Sequence, residues 1–175
     1  MKKLYLIHNK RTDLISAIRE KLKNADIIET EIENIDKISL NHNDMMVFIE
    51  GDKNIISKYM GKSEIVNIHP SLLPSFDNIT AIQDAYTSGV KVTGVTIHKP
   101  KKNNFVGQII AQYPILIDSY TNFPQLVDEI KTLELKLAPL AVKSVFEDKV
   151  FDIVDFLNEP KHSCGNCKQC GGCTH

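Results

Sequence analysis

Short apolar runs alternate with amphipathic segments along the first half of the chain. The runs at 4–7, 45–49 and 65–67 are typical of buried β-strands. Apolar residues recur at helical spacing over 14–22, with charged residues on the opposite face, and residues 52–60 indicate a second, shorter helix. Strands that alternate with helices predict an α/β fold with a Rossmann-like, mostly parallel sheet.

The second half of the chain shows two further patterns. Residues 90–98 alternate between apolar and polar positions, and 108–117 read as a returning strand, so the two predict a hairpin that adds a mixed edge to the sheet. A polar loop is expected at 101–104. Residues 123–146 predict a long helix in which Pro139 should cause a kink or a restart. The polar segment 25–43 carries no clear pattern.

Composition bounds the class of protein. The chain has 175 residues, of which 42% are hydrophobic and 25% charged, and its net charge is −1. These values suit one globular domain, and they give no basic patch for nucleic acid and no apolar run long enough for a membrane span. All four cysteines lie beyond residue 163, which is not the distribution of a disulfide framework, and a reducing cytoplasm is expected. We place an α/β domain at 1–157 and a Cys-rich appendage at 158–175.

The string from Asn67 to Pro74, Asn-Ile-His-Pro-Ser-Leu-Leu-Pro, carries the first candidate chemistry. Side chains alternate along a strand, so Asn67 and His69 should point the same way from the carboxyl end of a core strand. Open α/β sheets build their sites at that end. An amide N–H and an imidazolium are both hydrogen-bond donors, and the pair could therefore polarise a carbonyl oxygen.

Four segments together resemble one family. They are the Asn-x-His-Pro string, Ala81-Ile82-x-x-Ala85, the run from Gly89 to His98, and Gly107-Gln-Ile-Ile-Ala-Gln112. In this order they are similar to the folate-dependent formyltransferases, which include phosphoribosylglycinamide formyltransferase, and the likeness covers roughly residues 44–146. It implies the family's α/β fold and attack of an amine on the formyl carbon of 10-formyltetrahydrofolate. Asn67 and His69 would then hydrogen-bond the formyl oxygen.

Three further residues are candidates for contact with a small-molecule substrate. His8 ends the first strand, His98 ends the strand of the hairpin, and Asn104 lies in the loop that follows. The structural alternatives are that Asn67 and His69 form an inherited structural turn and that His98 is a hydrogen-bonded structural histidine. His42 is expected at the surface.

Several positions depart from the family pattern. The family's catalytic Asp corresponds to Phe105, and the loop around it holds no carboxylate. Loss of such a group costs about two to four orders of magnitude in rate unless another residue replaces it. The turn that begins at His8 has no Gly to cradle a phosphate, although Lys10 and Arg11 could meet an anion. Gly51–Asn54 is short for a pterin-binding loop, and Asp77-Asn78 replaces the family's Lys-Gly.

The cysteine motif gives a second candidate site. The thiols follow a C-x2-C-x2-C-x2-C spacing and are Cys164, Cys167, Cys170 and Cys173. This spacing favours an iron–sulfur cluster of the [4Fe–4S] type, with zinc as the alternative metal. A metal-free tail of redox-active thiols is the third alternative. A metal here would regulate or complete the site of a formyltransferase-like enzyme. Alternatively, the chain would be a non-catalytic metal or redox sensor, or an electron carrier with a redox partner protein.

Overall fold

The computed structural model of the chain describes residues 2–158. Six strands form a single sheet in the order β2-β1-β3-β4-β5-β6. They are β1 (Lys3–His8), β2 (Asp26–Glu31), β3 (Met45–Ile49), β4 (Glu64–His69), β5 (Val92–Lys101) and β6 (Asn104–Leu116). β2, β1, β3 and β4 run parallel to one another, whereas β5 and β6 are antiparallel to their neighbours. The predicted α/β class and the mixed hairpin edge are both confirmed.

Within the described residues, five helices flank the sheet. They are α1 (Thr12–Lys21), α2 (Lys53–Ser57), α3 (Ala81–Thr87), α4 (Phe123–Phe146) and α5 (Ile153–Asn158), with a 3₁₀ helix at Ile32–Lys37. α4 begins with a capping box between Asn122 and Gln125, in which each side chain bonds the other residue's backbone. It continues through the buried Pro139 without a restart. Among the described residues, no helix is both long and apolar enough to cross a membrane.

The core is divided between the two faces of the sheet. On one face, α1 and α4 pack over the apolar residues of β1, β3 and β4, which include Val66 and Ile68. On the other face, a smaller cluster contains Phe48, Ile65 and Phe105. Because side chains alternate along β4, Asn67 and His69 lie on this second face. The smaller cluster therefore forms the surroundings of the candidate site.

Two segments differ from the pattern-based expectation. The polar stretch 25–43 contains β2 and the 3₁₀ helix; β2 is an edge strand that stays partly exposed, so it lacks the apolar run of a central strand. The expected helix at 52–60 is only the five residues of α2, which starts after Asp52 has capped the backbone N–H groups of Asn54 and Ile55.

Candidate functional site

Asn67 is fully buried at the carboxyl end of β4, with 0% of its surface exposed. Its Oδ1 accepts a hydrogen bond of 3.2 Å from the backbone N–H of Gly51. Its Nδ2 lies 3.1 Å from Nε2 of His98, the residue opposite it on β5. Asn67 thus ties the end of β3 to β5, and one Nδ2–H remains without a protein acceptor in residues 2–158.

His98 fixes the orientation of that amide. Its Nδ1 donates to the carbonyl oxygen of Val106 at 2.8 Å, so in the neutral ring Nε2 is an acceptor and must face the NH2 end of Asn67. Burial lowers the pKa of His98 to about 4, and the ring is neutral at pH 7. The structure therefore makes His98 an interior hydrogen-bonding residue that orients Asn67, and its predicted contact with substrate has no support from this geometry.

A β-bulge places the carbonyl of Val106. The register of the hairpin shifts between Lys99 and Lys101, opposite Gly107, which has φ +57°. A Cβ at Gly107 would come within 2.0 Å of the Lys99 carbonyl oxygen. Only glycine fits here, and the bulge it permits turns the Val106 oxygen toward His98.

His69 presents a free ring nitrogen to a cavity. Its Nε2–H donates to the carbonyl oxygen of Phe76 at 2.9 Å, and Nδ1 has no protein partner within the described part of the chain. Burial lowers the pKa of His69, although the charges of Asp77 and Glu50 act in the opposite direction. At pH 7 the ring is neutral, so Nδ1 carries a lone pair and can accept a proton.

The cavity has a volume of about 230 Å³ and lies beside the carboxyl end of β4. Its walls combine His69 with the segment after β3, with part of the loop after β4 and with Phe105 from β6. The segment after β3 is Gly51–Asn54, which is short for a pterin-binding loop and forms one wall of the cavity. A wider groove of about 460 Å³ beside Tyr59 contains no residue of the Asn-x-His motif. The smaller cavity is therefore the candidate active site.

Phe105 occupies the place where the family resemblance puts a carboxylate. Its ring packs edge-on against His98, with centroids 5.6 Å apart, and the Lys53 ammonium lies 5.1 Å from its centroid. The β5–β6 hairpin, residues 92–116, contains no Asp or Glu. Negative charge reaches His69 from two other segments instead, through Glu50 after β3 and Asp77 after β4. Local sequence could not reveal this, because both residues approach His69 only through the fold.

Two of the other candidates lie outside the cavity. His8 shares the sheet face of Leu4 and Leu6, opposite that of His69, and its Nε2 is 3.1 Å from Glu29 Oε1. Asn104 is exposed at the first position of β6, where it pairs with Lys101. The predicted contacts of these two residues with substrate stay predictions that the structure does not favour.

The turn after β1 holds a buried charge cluster. Arg11 donates to Glu134 Oε2 at 2.7 Å, to Asp13 Oδ1 at 3.1 Å, and also to Glu50. Burial and the neighbouring Glu50 raise the pKa of Glu134 to about 7, although Arg11 acts against them. The guanidinium is committed to three acidic side chains, so Arg11 is not available to an external anion, contrary to the suggestion from sequence.

The predicted metal ligands Cys164, Cys167, Cys170 and Cys173 lie outside the described residues. Within residues 2–158, no group of three or more His, Cys, Asp or Glu side chains could hold a metal ion.

Two known proteins align with about half of this chain. Phosphoribosylglycinamide formyltransferase of Bacillus subtilis is 41% identical over 91 residues, which are 52% of this chain and 46% of that protein. The human trifunctional purine biosynthetic protein adenosine-3 is 38% identical over 90 residues, 51% of this chain and 9% of that protein. The aligned region therefore spans about half the length of the bacterial relative and 9% of the length of the human one.

Solved structures extend the likeness over most of the fold. Glycinamide ribonucleotide transformylase 1 of Geobacillus kaustophilus has a TM-score of 0.64 at 25% identity, covering 83% of this chain and 99% of that one. A formyltetrahydrofolate deformylase of Pseudomonas syringae has a TM-score of 0.65 at 16% identity and covers 86% of this chain and 66% of that one. The Formyl transferase family profile matches residues 13–142. This chain therefore belongs to the formyl transferase family.

Proposed function

We propose that the chain is an enzyme that moves a formyl group from a formyltetrahydrofolate to an amine or to water, with His69 as its proton acceptor. The observation that carries the proposal is the geometry of His69. Its ring is anchored through Nε2 to the Phe76 carbonyl, and its basic Nδ1 is left for the cavity. A neutral imidazole of this kind is suited to general-base chemistry near pH 7.

The proposed reaction proceeds by addition and elimination. The amine or water attacks the formyl carbon while His69 Nδ1 takes the proton that the nucleophile loses. The formyl oxygen receives the electron pair of the C=O bond. The family resemblance assigns its donor to the remaining Nδ2–H of Asn67, which is fully buried and outside the cavity lining in the free protein, so this contact requires a rearrangement when substrate binds. The bond from carbon to the folate nitrogen then breaks, and the protonated His69 returns its proton to that nitrogen. The products are tetrahydrofolate and a formylated amine or formate.

The size of the cavity limits what it can hold. Sites for drug-sized ligands usually measure about 300–1,000 Å³, and this cavity has only about 230 Å³. The formyl group and the edge of its carrier therefore occupy it, and the rest of a folate would lie along the surface.

The acceptor is proposed to carry no phosphate at the turn after β1. This turn has no Gly, and Arg11 is enclosed by Asp13, Glu50 and Glu134. Neither backbone N–H groups nor a free guanidinium are offered to a phosphate there.

The test is to incubate the purified chain with 10-formyltetrahydrofolate and to quantify tetrahydrofolate, formate and formylated amine by chromatography. Three reactions are compared: glycinamide ribonucleotide as acceptor, an unphosphorylated primary amine, and water alone. We expect formyl release without a requirement for the ribonucleotide. Turnover only with the ribonucleotide would contradict the proposed acceptor. No turnover in any reaction would contradict the proposal that the chain is an enzyme.

For the tail, we propose that Cys164, Cys167, Cys170 and Cys173 bind a metal centre, with a [4Fe–4S] cluster first and zinc second. Support comes from the donor set, since four thiolates at x2 spacing suit thiophilic metals. Iron, zinc and acid-labile sulfide should be measured after anaerobic purification, with the four-Ser variant as control. Equal metal content in both proteins would contradict a site in the tail.

A non-catalytic redox sensor or electron carrier with a redox partner is the second candidate function, favoured by Phe105 at the family's carboxylate position. It predicts metal binding with no formyl turnover.

A further inference from the structure

Asp77 is placed beside His69 by the turn that anchors the ring. The carbonyl of Phe76 receives the His69 Nε2–H at 2.9 Å, and Asp77 is the next residue. Phe76 has φ +55°, a left-handed conformation that is uncommon for a large side chain. This turn directs the Phe76 carbonyl to the imidazole and brings the Asp77 carboxylate into the wall of the same cavity.

An ion pair connects Asp77 with the opposite wall. Lys53 Nζ lies 3.2 Å from Asp77 Oδ2, and the same ammonium lies over the Phe105 ring. The aromatic ring at the expected carboxylate position thus faces a cation, and the cation in turn contacts a carboxylate from another loop. The carboxylate in the wall of the cavity opposite Lys53 therefore comes from the loop after β4 and not from the β5–β6 hairpin.

We propose that Asp77 is the positioning residue for His69 and supplies the carboxylate that the hairpin lacks at Phe105. This inference rests on the proposed function, because it gives Asp77 a role in the same proton transfer. Asp77 acts through the imidazole: its charge stabilises the imidazolium that forms when Nδ1 accepts a proton.

The charges around His69 support this role. Burial lowers the pKa of His69, and the hydrogen bond to the Phe76 carbonyl and the charges of Asp77 and Glu50 oppose this shift. His98, on the neighbouring strand, is neutral at pH 7 and adds no permanent charge. Glu50 pairs with Arg11 and does not line the cavity, whereas Asp77 lines it and pairs with Lys53. Asp52 also lines the cavity, but its Oδ1 accepts from the backbone N–H groups of Asn54 and Ile55, so Asp77 is the carboxylate best placed to respond when His69 becomes charged.

The first experiment needs no substrate. The pKa of His69 is measured by NMR titration in the wild type, Asp77→Asn, Asp77→Glu and the control Asp128→Asn, with His69→Gln to assign its signal among the six histidines. Asp128 is an exposed carboxylate on α4, far along the chain from the cavity. We expect Asp77→Asn to lower the pKa of His69 by about 0.5–1, Asp77→Glu to retain most of the wild-type value, and Asp128→Asn to leave it unchanged. An unchanged His69 pKa in Asp77→Asn would overturn the inference.

The second experiment follows formyl release. We expect Asp77→Asn to reduce kcat by about 10- to 100-fold with little change in KM, and to move the acid limb of the pH profile to lower pH. If Asp77→Asn and Asp77→Glu lower kcat equally and the acid limb of the pH profile does not move, the role of Asp77 is merely structural. If the wild type shows no turnover, the proposed function fails, and the titration alone decides whether Asp77 controls the charge of His69.

Discussion

Glu134 provides a quantitative test of the buried cluster at the turn after β1. This side chain has 0% of its surface exposed, its Oε1 has no hydrogen-bond partner among residues 2–158, and its pKa is raised from 4.5 to about 7, chiefly by burial. One pKa unit corresponds to about 1.4 kcal/mol. The difference between the folded and unfolded pKa values of Glu134 therefore corresponds to about 3 kcal/mol.

The direction in which stability changes with pH follows from proton binding. Between pH 4.5 and 7 the folded state holds the Glu134 proton and the unfolded state has lost it, so stability falls as pH rises through this window. The buried histidines His69 and His98 have lowered pKa values and give the opposite slope below pH 6.5. The pH dependence of the wild type alone is therefore ambiguous, and the difference between wild type and a Glu134 variant isolates the carboxyl group.

The assay is urea unfolding, followed by circular dichroism from pH 5 to 8, for the wild type, Glu134→Gln and the control Glu129→Gln. Glu129 is exposed on the same helix. We expect the stability advantage of the wild type over Glu134→Gln to shrink by about 2–3 kcal/mol as pH rises, with no such trend for the control. An advantage that grows with pH would refute the reasoning, because it would mean that Glu134 is an ionised partner of Arg11.

Two further variants probe the residues that hold Asn67. Gly107→Ala should destabilise the fold by about 2–4 kcal/mol in urea unfolding, because the added Cβ would lie 2.0 Å from the Lys99 carbonyl oxygen. Gly89→Ala is the control for positive φ alone, since a Cβ at Gly89 has no atom within 4 Å. Equal losses in the two variants would contradict the bulge argument. His98→Gln should flatten the loss of stability below pH 6.5, because the pKa of His98 is about 4 and only the unfolded ring binds a proton in that window. A slope identical to that of the wild type, measured with His42→Gln as control, would contradict a buried neutral ring.

Much of the fold followed from local pattern, since each central strand is a short apolar run and α4 keeps its apolar spacing over 24 residues. β2 was not predicted, because an edge strand keeps several side chains partly exposed and needs no continuous apolar run. Alternation along β4 also put Asn67 and His69 on one face, as the structure shows.

The electrostatics of the site could not be predicted in the same way. Arg11, Glu50 and Glu134 come from three distant segments, and their contact depends on α4 packing across the sheet. Asp77 was noted only as a departure from the family's Lys-Gly, because its approach to His69 depends on the left-handed turn at Phe76. Burial, which sets the protonation of His69 and His98, likewise appears only when the sheet is assembled.

The central claim is that His69 is the proton acceptor for formyl transfer. The most direct measurement is the rate of formyl release from 10-formyltetrahydrofolate by the wild type, His69→Ala and His42→Ala. His42 is an exposed histidine away from the cavity, and its loss controls for the removal of an imidazole. The account predicts at least about a 100-fold lower rate for His69→Ala and a wild-type rate for His42→Ala. Equal rates in the wild type and His69→Ala would contradict it.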